Sequence, residues 1–580
     1  MKNILVGLNS KFIHTSLALR YLKEYSGKMG QKCIIKEYTI NNNYNEAVSD
    51  LYLQNGDVYG FSVYIFNLEI TLDIIRDLKR VKPDAIIFCG GPEVSYDYDE
   101  LLYENKDIDF IIRGEGEKSI TEFLEKTQQY NKTAALKSYI YNNPINGVSF
   151  LYDDKIYKCP DREPICDLNE IPFPYDMEDL NKIKNRILYY ESSRGCPFSC
   201  SYCLSSAAKG VRTFDLNRVF KDLKVFLDFK VRQIKFVDRT FNFDAKRALK
   251  IMQFIKVNDN GYTNFHFEIA AWLLNEETFD FLETVRTGLF QFEIGIQSTN
   301  PQTLVAINRK IDFSALKKAF IRLNGLNVKI HADLIAGLPY EGYESFAKSF
   351  DEAMALKPDV LQLGFLKVLK GTAISRQDEH QYIYSKKPPY EVLKNKYLSY
   401  DDIIRLKRVE AVLELYYNSS LCMNIILYYI EENILNKSAF CFYSELAEYL
   451  FDKDFFGVLH KTSELFDRLY DFMSTKITDM DEAESYLVYD LYSFGKLYER
   501  PYWLRTLPDK EGLKALFKNY ELIYARLSKD EQNILDINEF KKSYRDMELV
   551  HFKFNKDIKT KLFLYGKLRK IIDLTDYIIK

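Results

Sequence analysis

Short apolar runs alternate with amphipathic segments through the first 135 residues. Compact apolar runs bounded by turn residues indicate buried strands, and apolar residues at three- and four-residue intervals indicate helices. Regular strand–helix alternation is typical of a parallel sheet covered on both faces by helices. We therefore predict a doubly wound α/β domain over residues 1–135, with strands at Asn3–Leu8, Cys33–Tyr38, Val58–Ile65, Ala85–Cys89 and Asp109–Arg113.

Polar and glycine-rich loops follow the predicted strands of this domain. Open parallel sheets bind ligands beyond the carboxyl ends of their strands, and glycine lets the backbone approach a ligand closely. No G-x-G-x-x-G follows the first strand, so a dinucleotide site is poorly supported. Glycines needed only for tight turns are an equally weighted interpretation. If the loops bind a ligand, the candidate residues are Asn9, Phe66, Gly90, Gly91, Gly114, Glu115 and Gly116.

Residues 136–185 are rich in Asn, Asp and Pro, which predicts a linker with one hairpin. Strand–helix alternation then resumes over residues 186–385. Six such units predict a partial (β/α)6 TIM-type barrel, whose active site lies at the carboxyl ends of its strands. The predicted strands are Ile187–Ser192, Gln233–Val237, Phe265–Ile269, Phe290–Ile296, Lys329–Ile335 and Val360–Leu366.

From residue 386 to residue 580 the pattern is amphipathic and helical, which predicts a helical C-terminal domain. Within it, residues 552–570 hold seven basic residues among aromatic ones that include Phe554, Phe563 and Tyr565. Basic residues interleaved with aromatic ones can bind RNA, but a solvated basic face is the favoured interpretation. The whole chain has 80 basic and 83 acidic residues, so we expect no nucleic acid as partner. It has no apolar run long enough to span a membrane, so we expect a cytoplasmic protein without a membrane partner.

Three cysteines stand at C-x3-C-x2-C spacing directly after the first predicted barrel strand. They are Cys196, Cys200 and Cys203, and nine cysteines in 580 residues give about 0.002 such triplets by chance. Soft thiolates in one tight loop suit an iron–sulfur cluster. Three ligands for a four-iron cluster leave one iron open, which favours catalysis over simple electron transfer.

This cysteine loop, with Gly295-Ile296-Gln297-Ser298 and Leu334–Pro339, resembles the radical S-adenosylmethionine (SAM) proteins. The glycine loops of residues 1–135 are similar to the cobalamin-binding domains that precede some radical SAM domains. The resemblance covers residues 1–385 and implies a [4Fe–4S] cluster held by the three cysteines, with SAM chelated at its open iron. Reductive cleavage of SAM would give a 5′-deoxyadenosyl radical, and cobalamin would bind the candidate loop residues listed above. The D-x-H-x-x-G motif is absent and His14 reads as a packing residue, so this domain is not expected to place a histidine on cobalt.

The resemblance also suggests contacts to SAM. Tyr202 is expected to face the adenine, and Asp238 to Asn242 align with the segment that contacts the methionyl amino group. Glu293 and Gln297 are candidates for ribose or carboxylate contacts, and Asp333 is a further candidate. For Glu293 and Asp333, an ion pair inside the barrel with Arg239 or Lys329 is an equally weighted alternative.

Three functions remain open at this point. The first is a cobalamin-dependent radical SAM enzyme that methylates or rearranges a small molecule or peptide and takes electrons from a flavodoxin or ferredoxin. The second is a tRNA methylthiotransferase, which would need three further cluster cysteines where residues 1–135 hold only Cys33 and Cys89. The third is a cobalamin or redox sensor whose helical tail binds a protein.

Overall fold

The computed structural model describes residues 1–207, 210–431, 438–477, 480–497, 499–554 and 557–575. They form two compact units. The first holds residues 1–343, 356–359 and 363–399, and the second holds residues 344–355, 360–362 and 400–580. No helix among the described residues is both long and apolar enough to cross a membrane.

The first unit begins with a seven-stranded sheet in the order β2-β1-β3-β4-β5-β6-β7. Strands β1 to β5 pair in parallel, as predicted. Helices cover both faces, so β1 and β3 are buried along their whole length and their sequences are largely apolar. The strands are β1 (Asn3–Asn9), β2 (Cys33–Thr39), β3 (Val58–Ser62), β4 (Ile86–Gly90), β5 (Phe110–Ile112), β6 (Val148–Tyr152) and β7 (Lys155–Lys158), and the helices are α1 (Leu17–Lys28), α2 (Tyr44–Leu53), α3 (Leu68–Val81), α4 (Tyr98–Glu104), α5 (Gly116–Gln129) and α6 (Thr133–Asn142).

The predicted linker is partly wrong, because its hairpin belongs to the first sheet. Strand β6 pairs antiparallel with β5, and β7 pairs antiparallel with β6. Asp153 and Asp154 form the turn, both with positive φ, as the tightest hairpin turns require. Val148 and Phe150 are fully buried in the core of the sheet, so their hydrophobic burial extends this domain past the predicted boundary at residue 135.

The barrel has six strands in the order β15-β14-β13-β12-β11-β8, which confirms the predicted (β/α)6 arrangement. The pairings from β8 to β14 are parallel. A two-stranded antiparallel ribbon, β9–β10, follows the first barrel strand. The elements are α7 (Met177–Ile183), β8 (Ile187–Tyr190), β9 (Ser193–Gly195), β10 (Val211–Thr213), α8 (Leu216–Asp228), β11 (Gln233–Phe236), α9 (Ala245–Val257), β12 (Asn264–Glu268), α10 (Glu276–Leu282), β13 (Phe290–Gln297), α11 (Pro301–Ala306), α12 (Phe313–Leu323), β14 (Lys329–Ala336), α13 (Tyr343–Met354) and β15 (Val360–Phe365).

The boundary predicted after residue 385 falls inside a second hairpin. Strands β16 (Ile383–Tyr384) and β17 (Val392–Lys394) pair antiparallel, and the first unit continues to Ser399. Val392 is buried and its backbone N–H donates to Leu366 O, 2.9 Å away. Because the hairpin returns onto the chain that leaves β15, no boundary can fall between its strands.

The second unit is mostly helical, as predicted, but it ends in a sheet that the helical pattern did not predict. Strands β18, β19 and β20 pair antiparallel in sequence order. Within the predicted helical region, residues 510–528 hold two helices, and residues 432–435 lie outside the described residues. The elements are α14 (Tyr400–Leu413), α15 (Met423–Glu431), α16 (Ala439–Phe451), α17 (Thr462–Ser474), α18 (Asp481–Phe494), α19 (Lys510–Phe517), α20 (Tyr520–Tyr524), α21 (Lys529–Ile534), α22 (Ile537–Lys542), β18 (Met547–Phe554), β19 (Asp557–Leu564) and β20 (Lys570–Asp573).

Several basic residues of this terminal sheet are neutralised by acidic ones. Lys561 contacts Asp573, Lys567 contacts Glu539, and Lys570 contacts Glu531, each with an N–O distance of 2.5 Å. These ion pairs account for part of the basic cluster noted in the sequence.

Candidate functional site

A cavity of about 700 Å³ opens at the carboxyl ends of β1, β3, β4 and β5. All seven residues predicted for the cobalamin loops line it, namely Asn9, Phe66, Gly90, Gly91, Gly114, Glu115 and Gly116. One side of the cavity extends between the sheet and helices α1 and α5, where Leu5, Leu19, Leu22 and Ile120 make it apolar. The opposite side is bounded by the barrel. The parallel topology thus brings these distant loops to one edge of the sheet.

Small residues on three neighbouring strands keep this cavity open. Gly7 lies opposite Ser62, and Ser62 lies opposite Gly90, so the three form one row across the sheet. One row deeper, a Cβ on Gly60 would lie 2.1 Å from the Phe88 ring. Gly91 has φ +117°, and a Cβ there would lie 2.4 Å from Val63 O. Gly60 and Gly91 therefore serve the protein's own packing and turn. Gly90 borders open space instead, since an added Cβ there meets only Ile112 O at 3.4 Å, so the row of Gly7, Ser62 and Gly90 forms a cradle with room for a ligand.

The barrel contacts this cavity through its first strand. Ile187 N donates to Ile13 O at 2.8 Å, and Thr15 Oγ1 donates to Ile187 O at 3.0 Å. His14, in the same loop between β1 and α1, lies 2.8 Å from the Tyr189 hydroxyl through Nδ1. Both His14 and Tyr189 line the cavity. His14 therefore lies where the loop after β1 contacts the barrel, and it also lines the cavity.

The three cysteines lie in the loop that connects the strands of the β9–β10 ribbon. Cys200 is buried, Cys196 and Cys203 are partly exposed, and all three are free thiols. Among the described residues, no group of three His, Cys, Asp or Glu side chains could hold a single metal ion. A four-iron cluster instead takes one thiolate on each of three different irons, so its ligands need not converge on one point. The donor set is all sulfur, as such a cluster requires.

Arg309 is a residue of this site that sequence reasoning missed. Its Nη1 lies 3.5 Å from Cys200 Sγ and 3.3 Å from the Tyr202 hydroxyl. Burial alone lowers the pKa of Arg309, but the neighbouring Tyr202 and Cys200 raise it, so the guanidinium stays charged. Arg309 thus places a positive charge beside one of the three cysteines. Arg309 lies in the loop after α11, and no motif in the sequence links it to the cysteines.

Two residues predicted to contact SAM are occupied by structural hydrogen bonds. Asp238 is 1% exposed, and its carboxylate accepts from Ser192 N at 2.8 Å, Ser192 Oγ at 2.7 Å and Ser193 Oγ at 2.6 Å. Asn242 exchanges two hydrogen bonds of 2.9 Å with the backbone of Ala270. Asp238 therefore secures the chain that enters the cysteine loop, and Asn242 joins the ends of two barrel strands.

Glu293 lies in an ion pair inside the barrel, as the alternative interpretation of this residue proposed. Its partners are not Arg239 or Lys329, which that interpretation named. Its Oε2 lies 2.9 Å from Lys235 Nζ and 2.8 Å from His266 Nε2. Burial alone raises the pKa of Glu293, but the hydrogen bond from His266 and the charge of Lys235 lower it to about 2. Glu293 is thus a paired carboxylate.

Asp333 and Gln297, by contrast, direct unsatisfied polar atoms into the barrel. Asp333 Oδ1, Gln297 Oε1 and His331 Nε2 are buried without a hydrogen-bond partner among the residues described. Burial raises the pKa of Asp333 to about 8, and the charges of Glu293 and Glu268 add to the shift. Buried polar atoms are rarely left unpaired. Together with Tyr202 and Arg309, these atoms provide hydrogen-bonding groups for a polar ligand beside the cysteine loop, as SAM requires.

Family comparisons agree with both parts of this site. Residues 4–124 match the B12 binding domain, and residues 190–353 match the radical SAM superfamily. The chain therefore contains a B12-binding domain and a radical SAM domain. Residues 378–565 match a protein family of unknown function, DUF4080. The two named domains imply a [4Fe–4S] cluster, SAM and cobalamin, and the thiolates, the unpaired barrel atoms and the glycine cradle described above fit these three groups.

Curated relatives of this chain share about a quarter of their aligned residues with it. An uncharacterised methyltransferase of Pyrococcus horikoshii is 24% identical over 60% of this chain and 74% of its own. The 2-(S-pantetheinyl)-carbapenam-3-carboxylate methyltransferase of Streptantibioticus cattleyicolor is 25% identical over 50% of this chain. The chain spans only 44% of that second protein.

Solved structures confirm the fold. The cobalamin-dependent radical enzyme OxsB, solved with aqua-cobalamin and SAM, has a TM-score of 0.55 at 14% identity and covers 94% of this chain and 84% of its own. The methyltransferase TsrM of Kitasatospora setae, solved with cobalamin and a [4Fe–4S] cluster, has a TM-score of 0.53 at 15% identity, over 67% of this chain and 79% of its own.

Proposed function

We propose that this chain is a cobalamin-dependent radical SAM methyltransferase whose substrate binds where the cavity meets the barrel. One observation carries the proposal. Leu204 and Ser205, which directly follow Cys203, line the same cavity as the glycine loops of the B12-binding domain. The cavity thus borders the cysteine loop directly, and a substrate at this border could contact both cofactors.

When bound, the cluster with SAM supplies a carbon-centred radical and cobalamin supplies a methyl group. The chain's own residues bind and orient these groups. Arg309 holds positive charge beside Cys200, and Asp238 secures the serines that precede the cysteine loop. Tyr189, Val237 and Arg239 form the barrel wall of the cavity, where they can contact a substrate and exclude water.

The buried positions of the N-terminal cysteines argue against a methylthiotransferase. Cys33 on β2 and Cys89 on β4 belong to separate core clusters of the sheet. Burial raises the pKa of Cys33 to about 12 and raises that of Cys89 as well. Cysteines of this kind are inert packing residues, so they do not suit the additional cluster that a methylthiotransferase carries in this domain.

Anaerobic reconstitution tests the proposal directly. We expect the protein to bind four irons per chain and one corrinoid, and to form 5′-deoxyadenosine and S-adenosylhomocysteine from SAM. Cys200→Ala is the matched control, because it removes one cluster ligand and leaves the B12-binding domain intact. Uptake of iron and sulfide without any corrinoid would refute cobalamin dependence. Product levels equal to those of Cys200→Ala would favour a sensor instead.

A low-potential flavodoxin or ferredoxin is our proposed electron donor, since reduction of such a cluster needs one. Reduced flavodoxin should support 5′-deoxyadenosine formation by the reconstituted protein at a rate that saturates with donor concentration. A rate that depends on dithionite alone would contradict this part of the proposal.

A further inference from the structure

Two arginines lie opposite each other at the base of the cysteine loop. Arg194 on β9 pairs with Arg212 on β10, and the loop that carries the three cysteines connects these two strands. Arg194 stands two residues before Cys196. Any ligand that ties the cysteines together therefore restrains both arginines through the backbone.

Both arginines contact the loop of the B12-binding domain that follows β5. Arg212 forms a two-point ion pair with Glu115, with Nη1 3.2 Å from Oε2 and Nη2 on Oε1. Arg194 Nη1 lies 3.4 Å from the same carboxylate, and Arg194 Nη2 lies 2.9 Å from Glu117 Oε1. Glu191 completes the group at 2.6 Å from Arg194. We call these five residues the interdomain clamp.

The clamp is held in a largely buried environment. The side chains of Glu117 and Glu191 are 6% and 9% exposed, and that of Arg194 is 19% exposed. Charge-assisted pairs with two contact points are strong and directional, and solvent screens buried ones only weakly. The clamp can therefore transmit a change in backbone position, which exposed surface pairs rarely do.

Glu115 connects the clamp to the cobalamin cavity. It is the residue before helix α5 and stands between Gly114 and Gly116, all three of which line the cavity. Sequence analysis assigned Glu115 to cobalamin itself, but its carboxylate is engaged by two guanidinium groups and by Ile165 N at 3.0 Å. Its geometry is that of a residue that positions the loop.

We propose that the interdomain clamp couples the two cofactor sites, so that assembly of the cluster strengthens cobalamin binding and cobalamin in turn stabilises the cluster. The inference rests on the proposed function, because it requires both cofactors. The cluster would order the cysteine loop and the ribbon, the ribbon would fix Arg194 and Arg212, and these would hold the Glu115 loop in the shape that receives the corrinoid. Such coupling is reciprocal by thermodynamic necessity.

The test compares the affinity for hydroxocobalamin with and without the cluster. Dissociation constants are measured by anaerobic absorbance titration on the chelator-stripped and the reconstituted full chain. We expect the reconstituted wild type to bind about 5- to 150-fold more tightly than the stripped form, the range typical of coupled sites. We define the coupling ratio as the dissociation constant of the stripped form divided by that of the reconstituted form. Glu115→Gln keeps the size of the side chain and removes its charge, so the coupling ratio of this variant should fall to within about twofold of unity.

A role in folding alone would weaken both affinities without changing their ratio, so the ratio separates positioning from simple stability. Arg286→Gln is the matched control, since it breaks the two-point pair of Arg286 with Asp259 elsewhere in the barrel and should leave the ratio at the wild-type value. Arg212→Gln replaces Glu115→Gln if that variant does not fold.

A wild-type ratio of one, with both cofactors bound, would overturn the coupling and leave the proposed function standing. A wild-type ratio that survives in Glu115→Gln and Arg212→Gln would also overturn it. A wild-type protein that binds no corrinoid in either form would refute the proposed function, and the coupling with it.

Discussion

Gly90→Ala should weaken cobalamin binding without harming the fold. Gly90 ends β4 and lines the cavity. An added Cβ there meets only Ile112 O at 3.4 Å, and its φ lies outside the left-handed region, so the strand can accept alanine. Because replacing a strand glycine with alanine also lowers the entropy of the unfolded chain, we expect an unchanged or slightly higher Tm.

The methyl group would instead occupy space that the corrinoid needs. Overpacking by one methyl group costs about 1–3 kcal/mol, which corresponds to a dissociation constant about 5- to 150-fold higher. An absorbance titration with hydroxocobalamin measures the change. Gly27→Ala is the control, because Gly27 is in α1 with nothing within 4 Å of its added Cβ and does not line the cavity. If Gly90→Ala folded normally and bound cobalamin within twofold of the wild type, the cradle would not be the cobalamin site.

Further predictions concern the barrel. Arg309→Met should lower the reduction potential of the cluster, because a cation beside Cys200 stabilises the added electron. An EPR-monitored redox titration measures this potential. A potential equal to that of the wild type would refute the prediction. Because the pKa of Glu293 is lowered from 4.5 to about 2, its pairing stabilises the fold fully above pH 4.5 and is lost as the pH falls towards 2. Lys235→Met should thus have a lower free energy of unfolding in urea than the wild type at pH 6. On acidification its free energy of unfolding should fall by less than that of the wild type. Parallel plots of unfolding free energy against pH for the two proteins would contradict this. Because the pKa of Asp333 is raised from 3.8 to about 8, its ionisation costs stability as the pH rises through this range. Asp333→Asn should gain stability relative to the wild type as the pH rises from about 4 to about 8, and an equal pH dependence would show that Asp333 is not protonated in the folded protein.

The two α/β domains and the cofactor class could be predicted from local patterns. Strands β1, β3, β4 and β5 are buried along all or nearly all of their length, and barrel strands such as β13 and β14 alternate buried with partly exposed residues. Both patterns leave a strong signal in the sequence. The cysteine triplet is equally local, since its ligands lie within eight residues. All seven cavity residues were found because parallel strands necessarily bring their carboxyl ends together.

The sequence by itself thus predicted the two α/β folds, the three cysteines proposed as cluster ligands and the loops that line the cavity, because each of these leaves a local pattern in the chain. Only the tertiary structure decided which polar residues are free to bind. Asp238 and Glu115 looked like ligand contacts, and the fold pairs them with Ser192, Ser193, Arg194 and Arg212 instead. Arg309 stands more than a hundred residues from Cys200 and became visible only as a neighbour in space. The β16–β17 hairpin and the terminal sheet of β18, β19 and β20 were missed for the same reason, since strand pairing depends on partners that a local pattern does not contain.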